Sequence, residues 1–184
     1  MLKFIIIIFT LSLFNYAFSS PKEKVISQMS ITNILSFEFI QQINEKSESG
    51  YCIIQYPKKI FCEYSYPNKK IMVSNGRSLV IKNEDSGSYY IYPLASTPLE
   101  LLLDKEYLIS KMSTLEPRNI DNKFLNFEII ENNNQINIFF DNKNFNLIGW
   151  QTEDIYKSLA ITYISSVKIN EIINNDIFKL PLKD

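Results

Sequence analysis

Histidine is absent from this chain of 184 residues, and glycine and cysteine are scarce, at four and two residues. Without histidine the sequence can build neither a Ser-His-Asp nor a Cys-His nucleophile arrangement, and it forgoes the commonest metal ligand. Two cysteines, Cys52 and Cys62, supply no CxxC-type zinc site. The four glycines fall in neither a GxGxxG nor a P-loop pattern, so no phosphate-cradling loop is present. Acidic pairs do occur, at Glu84-Asp85 and Glu153-Asp154, but both fall in segments that read as loops, where such acids are far more often solvated than catalytic. These absences argue against an enzyme and against a resident cofactor or metal.

Strong charge is missing as well. The leader contributes Lys3; without it, 18 basic side chains face 20 acidic ones, a net charge of −2. No clustered basic face suggests a nucleic-acid partner. The composition is rich in Asn, Ile and Lys, so Asn-rich loops such as 131–134 carry little functional weight.

What is present begins with a leader. Met1-Leu2-Lys3 precedes the apolar run FIIIIFTLSLF, and Ala17-Phe18-Ser19 supplies a small-x-small site. One basic residue, a short apolar core and a cleavage site read as a secretory signal peptide over 1–19. The run is too short to span a bilayer comfortably, and no Cys follows it for lipid attachment. The mature chain, 20–184, then begins outside the cytoplasm and has a length that suits one domain. No second candidate span follows.

Ser20-Pro21-Lys22-Glu23 predicts a helix start, with Ser20 as cap, Pro21 at the first helical position and Glu23 completing a capping box. Val25, Ile26 and Met29 carry helical spacing to about Ile31. Alternation then takes over at 34–41, with Leu35, Phe37 and Phe39 on one side of a strand, before a polar turn at 44–49. Next come five short apolar runs at 51–55, 60–65, 70–74, 79–82 and 89–92, punctuated by Pro57, Pro67, Asn75-Gly76 and Asp85-Ser86-Gly87. They read as an antiparallel meander, and Asn75-Gly76 predicts a type I′ turn with positive φ at both central residues. Thr97-Pro98-Leu99-Glu100 repeats the helix-start chemistry, with Thr97 as cap; Leu99, Leu102 and Leu103 form one apolar stripe, and 106–112 can add further helical turns. A tail of strands follows at 124–131, 135–141, 145–151 and 159–168, and the terminal Ile177-Phe178-Lys179-Leu180-Pro181 can pin the last segment. Two helical pieces among about ten antiparallel strands place the fold in the α+β class, built on a barrel or strongly curved sheet.

Cys52 and Cys62 flank the Pro57 turn symmetrically, which sets them nearly opposite on one face. Two readings stay open: a cross-strand disulfide, which an exported protein could keep, or two small apolar thiols filling an interior.

The series Phe39-Ile40-Gln41, Gly50 to Pro57, Tyr64-x-x-Pro67, Ser74-Asn75-Gly76 and Thr97-Pro98-Leu99 through Leu103 resembles the periplasmic outer-membrane lipoprotein carrier family LolA. No single motif is specific; their order and spacing over 31–103 carry the likeness, and the C-terminal half shares strand rhythm and Phe178-x-x-Pro181. The resemblance implies an incomplete, unclosed antiparallel β-barrel with an apolar interior, covered by a short α-helical lid. It implies acylated lipoproteins as cargo, taken from an inner-membrane lipoprotein-release ABC transporter and passed to an outer-membrane lipoprotein receptor by a monomeric carrier in the periplasm. Family members often carry an Arg before the proline of the second meander strand, where it bonds lid backbone; here that position is Tyr56, which leaves the latch of this lid open. The same departure is open to the receptor-like relative, LolB, as an alternative, although that relative is usually lipid-anchored and this leader lacks the Cys.

Apart from any family, Phe37, Phe39, Ile54, Tyr56, Ile60, Cys62 and Tyr64 form an uncharged inward set, with Leu99, Leu102 and Leu103 as its cover. Each residue alone reads as ordinary core. Collectively they suggest a cavity for acyl chains, because a few helical turns cannot fill a large curved sheet. A carrier of another amphiphile and a filled β-rich envelope scaffold or interaction module are the competing readings.

Overall fold

A computed structural model describes residues 19–67, 69–131, 134–153 and 158–183. Apart from Ser19 the expected signal peptide lies outside the described residues, as do Asn68, the Asn132-Asn133 turn and Asp154 of the second acidic pair.

Helix α1 (Pro21–Ile31) starts as its sequence dictates. The Ser20 hydroxyl accepts from the Glu23 backbone N–H, the Glu23 carboxylate accepts from the Ser20 N–H, and Val25 is fully buried. Strands β1 (Ile34–Ile43), β2 (Lys46–Gln55), β3 (Lys59–Tyr66), β4 (Lys70–Asn75), β5 (Ser78–Asn83) and β6 (Tyr89–Pro93) form the meander. Helices α2 (Leu99–Leu102) and α3 (Lys105–Thr114) follow, then β7 (Arg118–Ile120), β8 (Phe124–Glu131), β9 (Asn134–Asp141), β10 (Leu147–Glu153) and β11 (Leu159–Ile169).

All eleven described strands belong to one antiparallel sheet, in the order β6-β5-β4-β3-β2-β1-β11-β10-β9-β8-β7. The chain enters at the middle and walks outward to β6. It then crosses through the helices to the far edge and walks back until β11 pairs with β1. The edges β6 and β7 do not meet, so the barrel is unclosed, with its core on the concave side beneath the helices.

Several local expectations are corrected. The polar stretch from Lys46 is strand rather than turn, because the ten residues of β1 pair one for one with β2 through Ile43 and Lys46, leaving only Asn44 and Glu45 as the loop. Pairing with a neighbour overrides the low strand propensity of Lys, Ser and Glu. At 75–76 only Gly76 has positive φ (96°); Asn75 instead acts through its side chain, which accepts from the backbone N–H groups of Arg77 and Ser78. Thr97 does not cap α2: its hydroxyl donates to the Leu94 carbonyl and closes a 3-10 turn (Leu94–Ser96). Phe145 sits before β10 in a turn with φ of 61°, where the Asp141 carboxylate gathers the N–H groups of Lys143 and Asn144. The short strand β7 escaped notice because three residues carry no period.

On the convex side, Phe61, Val73 and Val80 lie side by side across β3, β4 and β5. The C-terminal segment crosses this row. Its Phe178 is 3% exposed in a 3-10 turn (Asn175–Phe178) packed on β3 and β4, with the Lys59 ammonium 5.7 Å from the ring centroid.

Candidate functional site

Antiparallel register turns the inward alternation into rows that cross the sheet. The row nearest the helices reads Leu35, Ile54, Ile60, Ser74, Leu79, Tyr92. The next reads Phe37, Cys52, Cys62, Met72, Ile81, and the third Phe39, Gly50, Tyr64, Lys70. Beyond them Gln41 faces Glu48, near the loop that joins β1 to β2. Polarity therefore rises in one direction along the trough.

Cys52 and Cys62 are direct partners across β2 and β3, 4.1 Å apart at Cα, and are joined as a disulfide. They sit in the trough floor, 4% and 1% exposed. In the third row Gly50 serves by lacking a side chain. The rings of Phe39 and Tyr64 meet over it edge to face at 4.9 Å, and a Cβ there would lie 2.1 Å from the Glu63 carbonyl oxygen.

The cover consists of α2, α3 and α1. Leu102 and Leu103 are buried beneath it, and Leu99 and Leu101 are partly so. Three lysines fasten it. Lys58 donates its backbone N–H to the Leu103 carbonyl at 2.8 Å, while its ammonium reaches Glu100 at 3.2 Å and Asp104 at 3.5 Å. Lys105 donates to the carbonyls of Ser30 and Thr32 and to Asn33 Oδ1 at 3.0–3.1 Å, joining α3 to the carbonyl end of α1. At its far end α3 is held to β8, where Glu131 accepts from Lys111 at 2.6 Å and from the Tyr107 hydroxyl at 3.2 Å. These bonds hold the Glu131 carboxyl below the usual range and raise Lys111; the bond to Glu100 raises Lys58. Tyr56 is half-buried next to α1, and burial pushes its phenol up to about 12. Its ring faces the Lys105 ammonium, 6.0 Å from the centroid, while a hydrogen bond to the cover backbone comes from Lys58 two residues on.

Two spaces lie along the trough. Directly beneath the cover, among Leu35, Ile54, Tyr56, Leu102, Leu103 and Trp150, the gap is about 40 Å³, room for roughly three waters. Ahead of it a chamber of about 240 Å³ opens toward solvent, lined by Phe37, Phe39, Cys62, Tyr64, Met72 and Thr162. Ile60, Leu99 and Trp150 border both. All ten residues singled out from sequence as cavity or cover therefore line this trough, and most of its free space lies in front of the cover, not under it. Sequence reading missed Trp150, Leu147, Phe140 and Ile138 from the C-terminal half. The inward alternation of Ile136, Ile138 and Phe140 was the available signal.

Among the described residues no group of acidic or cysteine side chains could hold a metal, and no helix is long and apolar enough to cross a membrane.

A protein-family model described as "Outer membrane lipoprotein carrier protein LolA" matches residues 30–181. No curated protein matches the chain by sequence. Among solved structures, the chain is similar to an uncharacterized conserved protein from Thermus thermophilus, at TM-score 0.53 and 7% identity, covering 87% of this chain and 92% of that one. It is also similar to MucB, at TM-score 0.51 and 8% identity, covering 90% of this chain but 63% of MucB. A LolA superfamily protein from Nitrosomonas europaea aligns at TM-score 0.46 and 9% identity, over 87% of this chain and 96% of that one. At such identities the first two likenesses show the fold alone.

Proposed function

The chain belongs to the family of the outer membrane lipoprotein carrier protein LolA, and from that premise we propose that residues 20–184 are a periplasmic carrier domain for acylated lipoproteins. In this reading it takes cargo from an inner-membrane lipoprotein-release ABC transporter and delivers it to an outer-membrane lipoprotein receptor. The observation that carries it is the concave face: rows of apolar side chains, a cover whose polar ties come mainly from lysines, and an open chamber bordering a narrow gap beneath the cover.

Energetics suit the task. Burying acyl chain contributes about 0.8 kcal/mol per CH₂. Because the gap under the cover is narrow, a long chain enters it only by lifting Leu99, Leu102 and Leu103, and that work offsets part of the gain and keeps release accessible. The chemistry required is binding, not bond-making, which accords with the absence of histidine. Purified protein should take up bis-ANS and release it to a synthetic diacylated lipopeptide, and a photocrosslinker at Ile54 or Leu102 should capture lipoprotein in cells that overproduce one. A protein that ignores dye and lipopeptide alike, with no crosslinked cargo, would be a filled scaffold instead.

A second reading, an envelope module that binds a protein partner, is favoured by Ile40, Tyr51 and Tyr163. These are 53%, 40% and 55% exposed on the convex face. Fatty acid displacing the dye without any lipopeptide preference would indicate a carrier of another amphiphile.

A further inference from the structure

The trough is not symmetric from end to end, and its asymmetry bears on which way a cargo lies in it. Under the cover the row Leu35, Ile54, Ile60, Ser74 and Leu79 is apolar but for Ser74, whose buried hydroxyl donates to the Lys58 carbonyl, and the disulfide and Met72 follow. The third row ends in Lys70, and the last in Gln41 and Glu48. At this end Lys70 binds both carboxylate oxygens of Glu48, at 2.7 and 2.8 Å, and lies 4.2 Å from the Tyr64 ring centroid. Gln41 donates to the Thr162 hydroxyl at 2.9 Å. Both members of the Glu48–Lys70 pair are only 22% exposed, so this collar is set into the wall of the open chamber.

Resting on the carrier reading above, we propose that cargo has one polarity in the trough: acyl tails run toward the cover, and the polypeptide leaves over the collar of Gln41, Glu48, Lys70 and Thr162. The physical reason is the penalty for burying a polar group without a partner. The esters and amides that join acyl chains to a polypeptide need donors and acceptors, and the collar holds both, whereas the gap beneath the cover is mostly apolar, its Gln28 and Asn146 bond each other and its Thr32 hydroxyl donates to the Gln28 carbonyl. Since Glu48 and Lys70 neutralise each other, the collar suits a neutral peptide head. A phosphate there would meet the Glu48 carboxylate.

Trp150, the single tryptophan, borders both spaces and reports on the tails independently of the head. A synthetic diacylated lipopeptide with brominated tails and a photoreactive benzoylphenylalanine at its second peptide position tests both halves at once. Quenching of Trp150 together with crosslinks on Gln41, Glu48, Lys70 or Thr162, and their loss on competition with unlabelled lipopeptide, supports the assignment. Quenching with crosslinks on α1, α2 or α3 overturns the polarity and leaves the carrier reading intact. Equal quenching by brominated phosphatidylglycerol overturns the neutral-head assignment alone. An unquenched Trp150 overturns the carrier reading, and this inference with it.

Discussion

Gly50 and the cysteines show how single side chains set the shape of the trough floor. A methyl group at Gly50 would be driven against the Glu63 carbonyl and the Phe39 ring. Gly50→Ala should therefore destabilise the fold by about 1–3 kcal/mol, as overpacking does, with a lower urea midpoint at an unchanged slope. Cys52 and Cys62 close a short loop of sequence separation 10. Replacing both with Ser should cost about 2–3 kcal/mol by loss of the cross-link, read in the same denaturation experiment, with the reduced wild type behaving like the variant. Tyr56 teaches the opposite lesson: it stands at the position expected to hold the cover, yet the bond to the cover comes from Lys58, whose φ of 65° turns its N–H toward Leu103.

The cover is docked by buried leucines, and its ion pairs are partly solvated. Lys58 and Glu100 are about one-third exposed, at 33% and 30%. A double-mutant cycle with Lys58→Met and Glu100→Gln should return a coupling of only about 0.2–1 kcal/mol, as exposed pairs do. The backbone bond to Leu103 remains in both variants, so proteolysis within α2 should rise modestly, not abruptly. The pH dependence follows from the shifts. Glu131 is depressed when folded, so its contribution is present above the ordinary glutamate pKa of about 4.3 and is lost as pH falls through the lower folded value. Lys58 and Lys111 are raised, so theirs is intact below the ordinary lysine pKa of about 10.4 and is lost as pH climbs through the higher folded values. Hydrogen exchange in α3 should therefore be slowest over a broad neutral range and quicken, after correction for intrinsic rates, at both extremes.

For the whole molecule, the open sheet has two faces with separate tenants. The concave side carries the trough, and the convex row of Phe61, Val73 and Val80 is closed by the chain's own C-terminal segment through Phe178. The Tyr89 hydroxyl donates to the Pro181 carbonyl and helps to hold that segment down. Phe178→Ala should cost about 3–5 kcal/mol, the usual range for a buried Phe, while leaving lipopeptide affinity unchanged, because the ring lies on the face away from the trough. Loss of affinity in a still-folded variant would show that the two faces are coupled. A ligand that fills the trough should raise the melting temperature, and the rise should keep growing with the logarithm of free ligand above Kd, since only the folded chain can hold it.

Local chemistry alone settled much of this molecule. Ser20, Pro21 and Glu23 specify where α1 begins, because a capping box needs only neighbours in sequence. Period-two alternation identified the inward faces of β1 and the meander, because a pleat has no other way to sort side chains. The placement of Cys52 against Cys62 followed from the symmetry of their spacing about Pro57. What no window of sequence contained was pairing at a distance. The union of β1 with β11 makes one sheet of two meanders and brings Trp150 and Thr162 to the trough built by the N-terminal half. Pairing with β1 likewise turns residues 46–49 into strand by lending them a partner. The hold of Lys58 on residues 100–104 arises the same way. Such contacts depend on how far the sheet curves before its edges stop short of one another, and that curvature is a property of all eleven strands together.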